Sequence, residues 1–276
     1  MKNIEGTIII DYADIKNTTV GDIANITSHT ANTWQANRGA TEKYADATIG
    51  KIGESAVIKA LKSLNIKNYH FYDSFRNDNF KRHAPFDGVF AENLSSEVIA
   101  LINSKVAAEG SKLSADTRNK LRENNVLTVE VKSTRLAQQY KERAEFKSYS
   151  NEFETKNLIR SLKRYDFITY PHFIREGTMT FSQYCTFVEN RLNTGKTGAA
   201  LEEHVRQIEL ENATDIYMRV FVDEENKKAL IMGWIDRIKL LTPPEIKKLP
   251  SPKSKDALYL AKLIARGESI MTLGDF

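Results

Sequence analysis

Apolar and polar positions recur along this chain in two registers, one of period 3.6 and one of period 2, and their order outlines a fold. The run TIII at residues 7–10 predicts a short strand, and the Asn-, Thr- and Ala-containing remainder of the first 45 residues predicts polar helices or loops. Across residues 50–64, Val57, Ile58, Leu61 and Leu64 recur at helical spacing, with Lys51, Lys59, Lys62 and Ser63 elsewhere around the circle, so an amphipathic helix is expected. YHFY (69–72) reads as a short aromatic strand and PFDGVFA (85–91) as a second, separated by the turn-like stretch 73–83. Residues 95–125 are helical in composition, with Val98, Leu101, Ile102 and Val106 on one stripe and a break at Gly110. The β-rich run VLTVEVK (126–132) follows, then a helix near 153–163 and a strand YDFITY (165–170) stopped by Pro171. Strand, helix and strand at this distance predict a parallel crossover. Helices near 182–191 and 199–211 precede IYMRVFV (216–222) and ALIMGWI (229–235), which flank DEENKK as a β-hairpin. The tail carries Pro243, Pro244, Pro250 and Pro252 and is expected to end in a short helix over 256–266, stopped by Gly267.

The elements predict an α/β (α+β) fold: a central mixed sheet of five or six strands with helices on both faces. With 276 residues, 28% charged and 41% hydrophobic, the chain is neither collagen-like nor wholly disordered, and a single domain over 1–276 accommodates it. The lone Cys185 can form neither an intramolecular disulfide nor a thiolate zinc site, which fits a reducing, cytoplasmic setting. TIII is followed by Asp11 and Asp14, too short and polar for a signal peptide, and no stretch approaches the roughly 20 apolar residues of a membrane span. Forty basic against 36 acidic side chains leave only +4, so the distribution of charge carries more information than its sum.

One segment stands out chemically. In VLTVEVK, strand alternation sends Leu127, Val129 and Val131 to one face and Thr128, Glu130 and Lys132 to the other, an acid and a base roughly 7 Å apart along the strand. Alone, such a pair reads more simply as a cross-strand charge pair on a half-exposed strand. Asp87 lies within PFDGVF, where Gly88 allows close approach of another backbone or a ligand, and pairing of this strand with 126–132 would bring Asp87 beside Glu130. A turn Asp preceding Gly is its plainer reading. Two adjacent carboxylates raise each other's pKa unless a cation sits between them, and a hard, oxygen-ligated ion such as Mg²⁺ suits them. Glu54 shares a helical face with Val57, Ile58 and Leu61, so a carboxylate is aimed into the apolar side. Either it snorkels out, or it needs a partner, because burying it unpaired costs several kcal/mol.

GKIGESA (50–56), PFD (85–87) and VEVK (129–132), in the order helix, strands, helix, strand, resemble the PD-(D/E)xK nuclease superfamily, the fold of many restriction endonucleases and several repair nucleases. The likeness covers residues 50–170, less than half the chain. It departs from the family pattern in the Phe86 interposed between Pro85 and Asp87 and in the long gap to Glu130, which would make residues 95–125 a helical insertion. Residues 171–276 would extend the core with helices and the hairpin. The resemblance implies that Asp87, Glu130 and the Val131 carbonyl bind Mg²⁺, with Glu54 a direct or water-mediated ligand, and that Lys132 orients or helps deprotonate the attacking water. It implies hydrolysis of a DNA phosphodiester, with a type II site-specific restriction endonuclease as the first expectation and a homodimer on double-stranded DNA as the assembly. The alternatives are a structure-specific repair or recombination nuclease of the same superfamily and a non-catalytic DNA-binding protein in which Glu130 and Lys132 form only a salt bridge.

A DNA partner asks for cationic surface. Residues 132–164 hold nine basic and four acidic side chains, a local excess of +5, with Arg135, Gln138, Gln139, Tyr140, Lys141, Arg143 and Lys147 suited to phosphate and base-edge contacts. Arg76, Lys81 and Arg82, ahead of Asp87, extend the candidate surface; an ordinary solvated segment is the competing reading for both. GKT at 195–197 lacks the preceding glycine of a phosphate-binding loop, so no nucleotide cofactor is expected. The five histidines show no zinc spacing, although His83 lies close to Asp87 in sequence. Asp215 and Asp236 read as strand-end residues and Trp34 as a packing residue in a polar loop.

Overall fold

The computed structural model describes residues 1–15, 39–174, 177–249 and 257–275. Strands β1 (Lys2–Ile4) and β2 (Thr7–Asp11) are followed by helix α1 (Ala40–Ser63), then β3 (Tyr69–Phe71) and β4 (Gly88–Phe90). Helices α2 (Ser96–Glu109) and α3 (Ala115–Glu123) lead to the long strand β5 (Leu127–Arg135). After it come α4 (Gln138–Arg143), α5 (Glu152–Leu162), β6 (Asp166–Thr169), α6 (Phe181–Leu192) and α7 (Gly198–Asn212). The chain closes with β7 (Ile216–Asp223), β8 (Lys228–Asp236), α8 (Arg237–Leu240), β9 (Glu245–Leu249) and β10 (Ala257–Leu263).

Seven strands form a mixed sheet in the order β1-β2-β8-β7-β5-β4-β3, in which β5 and β7 run parallel and the other pairings are antiparallel. This is an α/β fold with a central mixed sheet flanked by helices. Strand alternation divides its side chains cleanly. Ile8, Ile10, Val129, Val131, Met218 and Val220 pack against Ala56, Val57, Ala60 and Leu61 of α1. On the other face, Ile9, Tyr217, Phe221 and Leu230 pack against Leu158, Ile159 and Leu162 of α5. Every residue of β7 is buried, as expected of a central strand covered on both faces. A third cluster joins Tyr72, Phe86 and Val89 to Ile102, Val106 and Leu121 of α2 and α3, so the predicted helical excursion, capped by Ser95 and Ser114, packs at the β4 end of the sheet. Cys185 is buried between α6 and α7. Among the described residues, no helix is long and apolar enough to cross a membrane.

Four expectations need correction. Among the described residues, the main sheet has seven strands and a second sheet has three, more than the five or six expected. The strand expected at 165–170 does not close a crossover onto 126–132: β6 joins β10 and β9 in the second sheet, and the parallel neighbour of β5 is β7, reached through α4 to α7. Residues 171–276 therefore supply two strands of the central sheet. The helix expected at 256–266 is β10, followed by a 3-10 turn at Ile264–Arg266; the run ALYLAKL places Leu258 and Leu260 in the interior at period 2, and β6 and β9 satisfy its backbone on both edges. Gly267 ends only that 3-10 turn, its N–H donating to the Ile264 carbonyl at 3.0 Å, and a Cβ there would collide with the Phe167 ring. The first helix begins at Ala40, ten residues ahead of the apolar stripe that revealed it. Trp34, Pro250 and Pro252, and the helices or loops expected over 16–38, lie outside the described residues.

Candidate active site

Asp87 immediately precedes β4, whose register with β5 pairs Gly88 with Val129 and Phe90 with Leu127. The Asp87 N–H donates to the Val129 carbonyl at 2.8 Å, the last rung of the ladder. One step further the side chain replaces the backbone: Asp87 Oδ2 accepts from the Val131 N–H at 2.6 Å. Because the N–H and C=O of one strand residue point to the same edge, the Val131 carbonyl faces the space that β4 has vacated, beside the Asp87 carboxyl. Gly88 is needed because its missing Cβ would lie 2.4 Å from the Tyr69 hydroxyl oxygen.

On β5, Glu130 and Lys132 project from the face opposite Val129 and Val131, as alternation requires, and their side chains form an ion pair. Burial opposes ionisation of Glu130, but the Lys132 ammonium outweighs it and holds the carboxyl below the usual range. Burial likewise opposes the charge on Lys132, and Glu130 with Asp87 overcomes it, so this lysine is held as a cation.

Glu54 enters from α1. It is 7% exposed, so it does not snorkel into solvent. Its compensation comes from Lys51, one turn earlier, which also reaches Asp73 at 2.7 Å. Burial pushes the Glu54 carboxyl up to about 6 against the pull of Lys51, with Asp73 and Glu130 adding repulsion. Asp87 lies between the two ion pairs. Burial raises its pKa well above the ordinary value, and Glu130 and Glu54 both add to the rise. Three carboxylates from three elements thus share one electrostatic neighbourhood that Lys51 and Lys132 only partly offset. Gly53 permits the close seating of α1 that this needs, since a Cβ there would collide with Ser133 of β5 at 1.8 Å.

The donor set is all oxygen, the chemistry that suits Mg²⁺, which commonly takes one or two protein carboxylates and completes its shell with water and substrate phosphate. Tyr69, whose buried hydroxyl finds no hydrogen-bond partner among the described residues, stands beside Asp87 and Glu54 and could hold a water of such a shell. Among the described residues, no group of three or more carboxylate, His or Cys side chains is arranged to hold a metal ion as the side chains stand. By chemistry alone, the Asp87 and Glu130 carboxylates and the Val131 carbonyl are donors of the kind a hard cation takes, and Glu54 lies in the same electrostatic neighbourhood.

The basic segment is less available than its composition suggested. Arg135 alternates onto the α1 face and pairs with Asp46 and Glu224. Lys141 is buried between Asp223 and Glu225. Lys156 pairs with Glu152 and Arg160 with Glu5. Tyr140 packs edge-on against Tyr165, while Gln138, Gln139, Arg143 and Lys147 are exposed. Arg76 is committed to Asp73 and Asp78 and lies over the rings of Tyr72 and Phe80; Lys81 and Arg82 are exposed.

A cavity of about 220 Å³ opens on the Glu130 and Lys132 face, bounded also by His83, Arg118, Tyr170 and His172. Of the residues around the site, Lys51, Tyr69, Asp73 and Arg118 went unsingled in the sequence. Lys51 had a signal, its spacing of three from Glu54; Arg118 had none, being one cation in a polar helix. No protein family, no curated protein and no solved structure matches the chain.

Proposed function

We propose that this chain is a Mg²⁺-dependent DNA endonuclease, first of all a site-specific one of the restriction type, acting on double-stranded DNA as a homodimer in the cytoplasm. The observation that carries the reading is Asp87 bound through its carboxylate to the Val131 N–H, between Glu54 and the Glu130–Lys132 pair. A purely structural Asp in this position would be expected to avoid two further carboxylates. Their mutual repulsion, incompletely relieved by protein cations, is what a divalent ion would remove.

Asp87, Glu130 and the Val131 carbonyl would hold the ion, with Glu54 binding directly or through water. The ion would supply Lewis acidity, making its water a better nucleophile and drawing charge from the phosphate. Lys132, kept protonated by Glu130, would donate a hydrogen bond that orients the water and would offset charge on the pentacovalent phosphorus group. As a cation it acts by orientation and electrostatics rather than as a base. Asp87, holding the Val131 N–H, would help fix the stretch of β5 backbone that also carries the Val131 carbonyl. Tyr69 would hold a water against Asp87.

Digestion of a long unmethylated plasmid separates this reading from its neighbours. Discrete fragments are expected; a smear, or cutting only at junctions, would favour the structure-specific alternative. Lys132→Ala should abolish cleavage while DNA binding survives. A wild-type chain that binds DNA without cutting, and behaves as Lys132→Ala does, would indicate a binding protein in which the pair is only a salt bridge.

A further inference from the structure

The cavity beside Glu130 and Lys132 contains a buried cation that has no counter-ion in contact among the described residues. Arg118, in α3, is 7% exposed and lines the cavity. Its Nε and Nη1 are buried with no hydrogen-bond partner among the described residues. The nearby acids are engaged elsewhere. Asp215 accepts from Arg122 Nε at 2.6 Å and from the Thr128 N–H and hydroxyl at 2.9 and 2.8 Å, while Glu130 is held by Lys132. Burial pulls the guanidinium below its ordinary pKa, the mark of a charge that its surroundings do not repay. Keeping such a group unpaired is costly unless an anion meets it in the working state.

The rest of the wall suits an anion. Ser114, the N-cap of the nine-residue helix α3, also lines the cavity, but the Glu109 carboxylate already accepts from the Ser114 N–H and the Thr117 hydroxyl at that helix end, so the guanidinium of Arg118 and not the helix is the donor left for an anion. Lys112, His83 and His172 stand around it. The one further acid, Glu209, accepts from the Tyr184 hydroxyl and from the His172 N–H at 3.0 and 3.1 Å, and burial raises its pKa to about 7, which weakens its repulsion of a ligand anion near neutral pH. A cavity of about 220 Å³ is smaller than the roughly 300–1,000 Å³ of drug-sized sites, so it admits a small anionic group rather than a duplex. A guanidinium fork matches the oxygens of a phosphate better than an ammonium does.

The geometry points to this cavity as a phosphate seat, in which Arg118 receives one phosphate group of a nucleic-acid strand whose neighbouring phosphodiester lies at Asp87 and Lys132. The second half of that statement rests on the nuclease reading; the seat itself does not. The α2 and α3 excursion is then part of the substrate site.

The test is titration of the metal-free full-length chain with inorganic phosphate in EDTA at low ionic strength, followed by calorimetry. Wild type should bind. Arg118→Met should weaken binding at least about tenfold, the loss of one charge-assisted contact, with no drop in thermal midpoint. Arg118→Lys should fall between the two, and it decides the matter if the Met variant does not fold. A 5′-phosphorylated single-stranded oligonucleotide competing better than its 5′-hydroxyl counterpart assigns the seat to a strand end; equal competition assigns it to an internal phosphodiester. No phosphate binding by wild type, unchanged binding by the folded variants, or competition by neither oligonucleotide would overturn the proposal. Because no metal or cleavage enters the readout, an inactive chain that still binds phosphate through Arg118 would refute only the nuclease reading.

Discussion

Two groups of carboxylates, one wholly buried in the sheet and one half-buried where the sheet meets α1, are treated in opposite ways. Asp223, at the end of β7, is wholly buried and accepts from Lys141 Nζ at 3.0 Å, the Tyr149 hydroxyl at 2.9 Å, and the Asn226 N–H and Nδ2 at 3.2 and 3.0 Å. Burial opposes its ionisation, but these donors outweigh it and its pKa is lowered. Asp87, at the start of β4, receives the Val131 N–H and faces Glu130 and Glu54, and its pKa is raised. A carboxylate that only ties a fold together is saturated with donors; one left among other carboxylates keeps a repulsion that a cation would relieve, which is the proposal made for Asp87.

Breaking the saturated cluster should cost the most stability. Asp223→Ala leaves the Lys141 ammonium buried beside the single remaining carboxylate of Glu225, and a loss of about 3–5 kcal/mol in chemical denaturation is expected. An unchanged midpoint would mean that the donors around Asp223 contribute nothing net.

The corresponding change in the other cluster should leave stability alone and remove function. Asp87→Asn keeps an acceptor for the Val131 N–H and relieves repulsion with Glu130 and Glu54, so its thermal midpoint should equal or exceed that of wild type. Its plasmid cleavage rate should fall at least about 100-fold. A variant that loses stability and keeps its rate would reverse the comparison.

Glu209 gives a pH test of incomplete compensation. Its folded-state pKa of about 7 stands above the ordinary glutamate value, so the native state binds the proton more tightly than the unfolded chain does. Its contribution to stability is therefore present below about pH 4.5 and lost as pH rises through about 7. Glu209→Gln should match wild type at pH 4.5 and exceed it at pH 8 by up to about 3 kcal/mol. A difference that is constant with pH would contradict the assignment.

The smallest effects belong to the exposed cations. Arg143→Ala and Lys147→Ala should each weaken DNA binding modestly at all sequences and lower the salt slope by about one, whereas Lys156→Ala, already paired with Glu152, should change it less. Equal effects at all three positions would mean that ion pairing does not decide which cations reach the DNA.

The sequence exposed local pattern and hid long-range partnership. The alternation of VLTVEVK was legible because both faces of β5 have opposite demands, and Glu54 was legible as a misplaced charge on an apolar stripe. The parallel partner of β5 was not, because the sequence between β5 and β7 offers the nearer strand β6, and only the packing of α5 and β10 against β6 diverts it to the second sheet. ALYLAKL suited helix and strand alike until two flanking strands settled it. The exposure of a cation cannot be read from charge counting, since Glu5 and Asp223, which hold Arg160 and Lys141, come from far along the chain.

The most direct measurement is cleavage of unmethylated plasmid DNA by wild type and Asp87→Asn, each with Mg²⁺ and with EDTA. Cutting by wild type with Mg²⁺ alone, and none by the variant in either buffer, is the result expected if Asp87, Glu130 and the Val131 carbonyl form a metal site. No cutting by wild type, cutting in EDTA, or equal cutting by Asp87→Asn would contradict it.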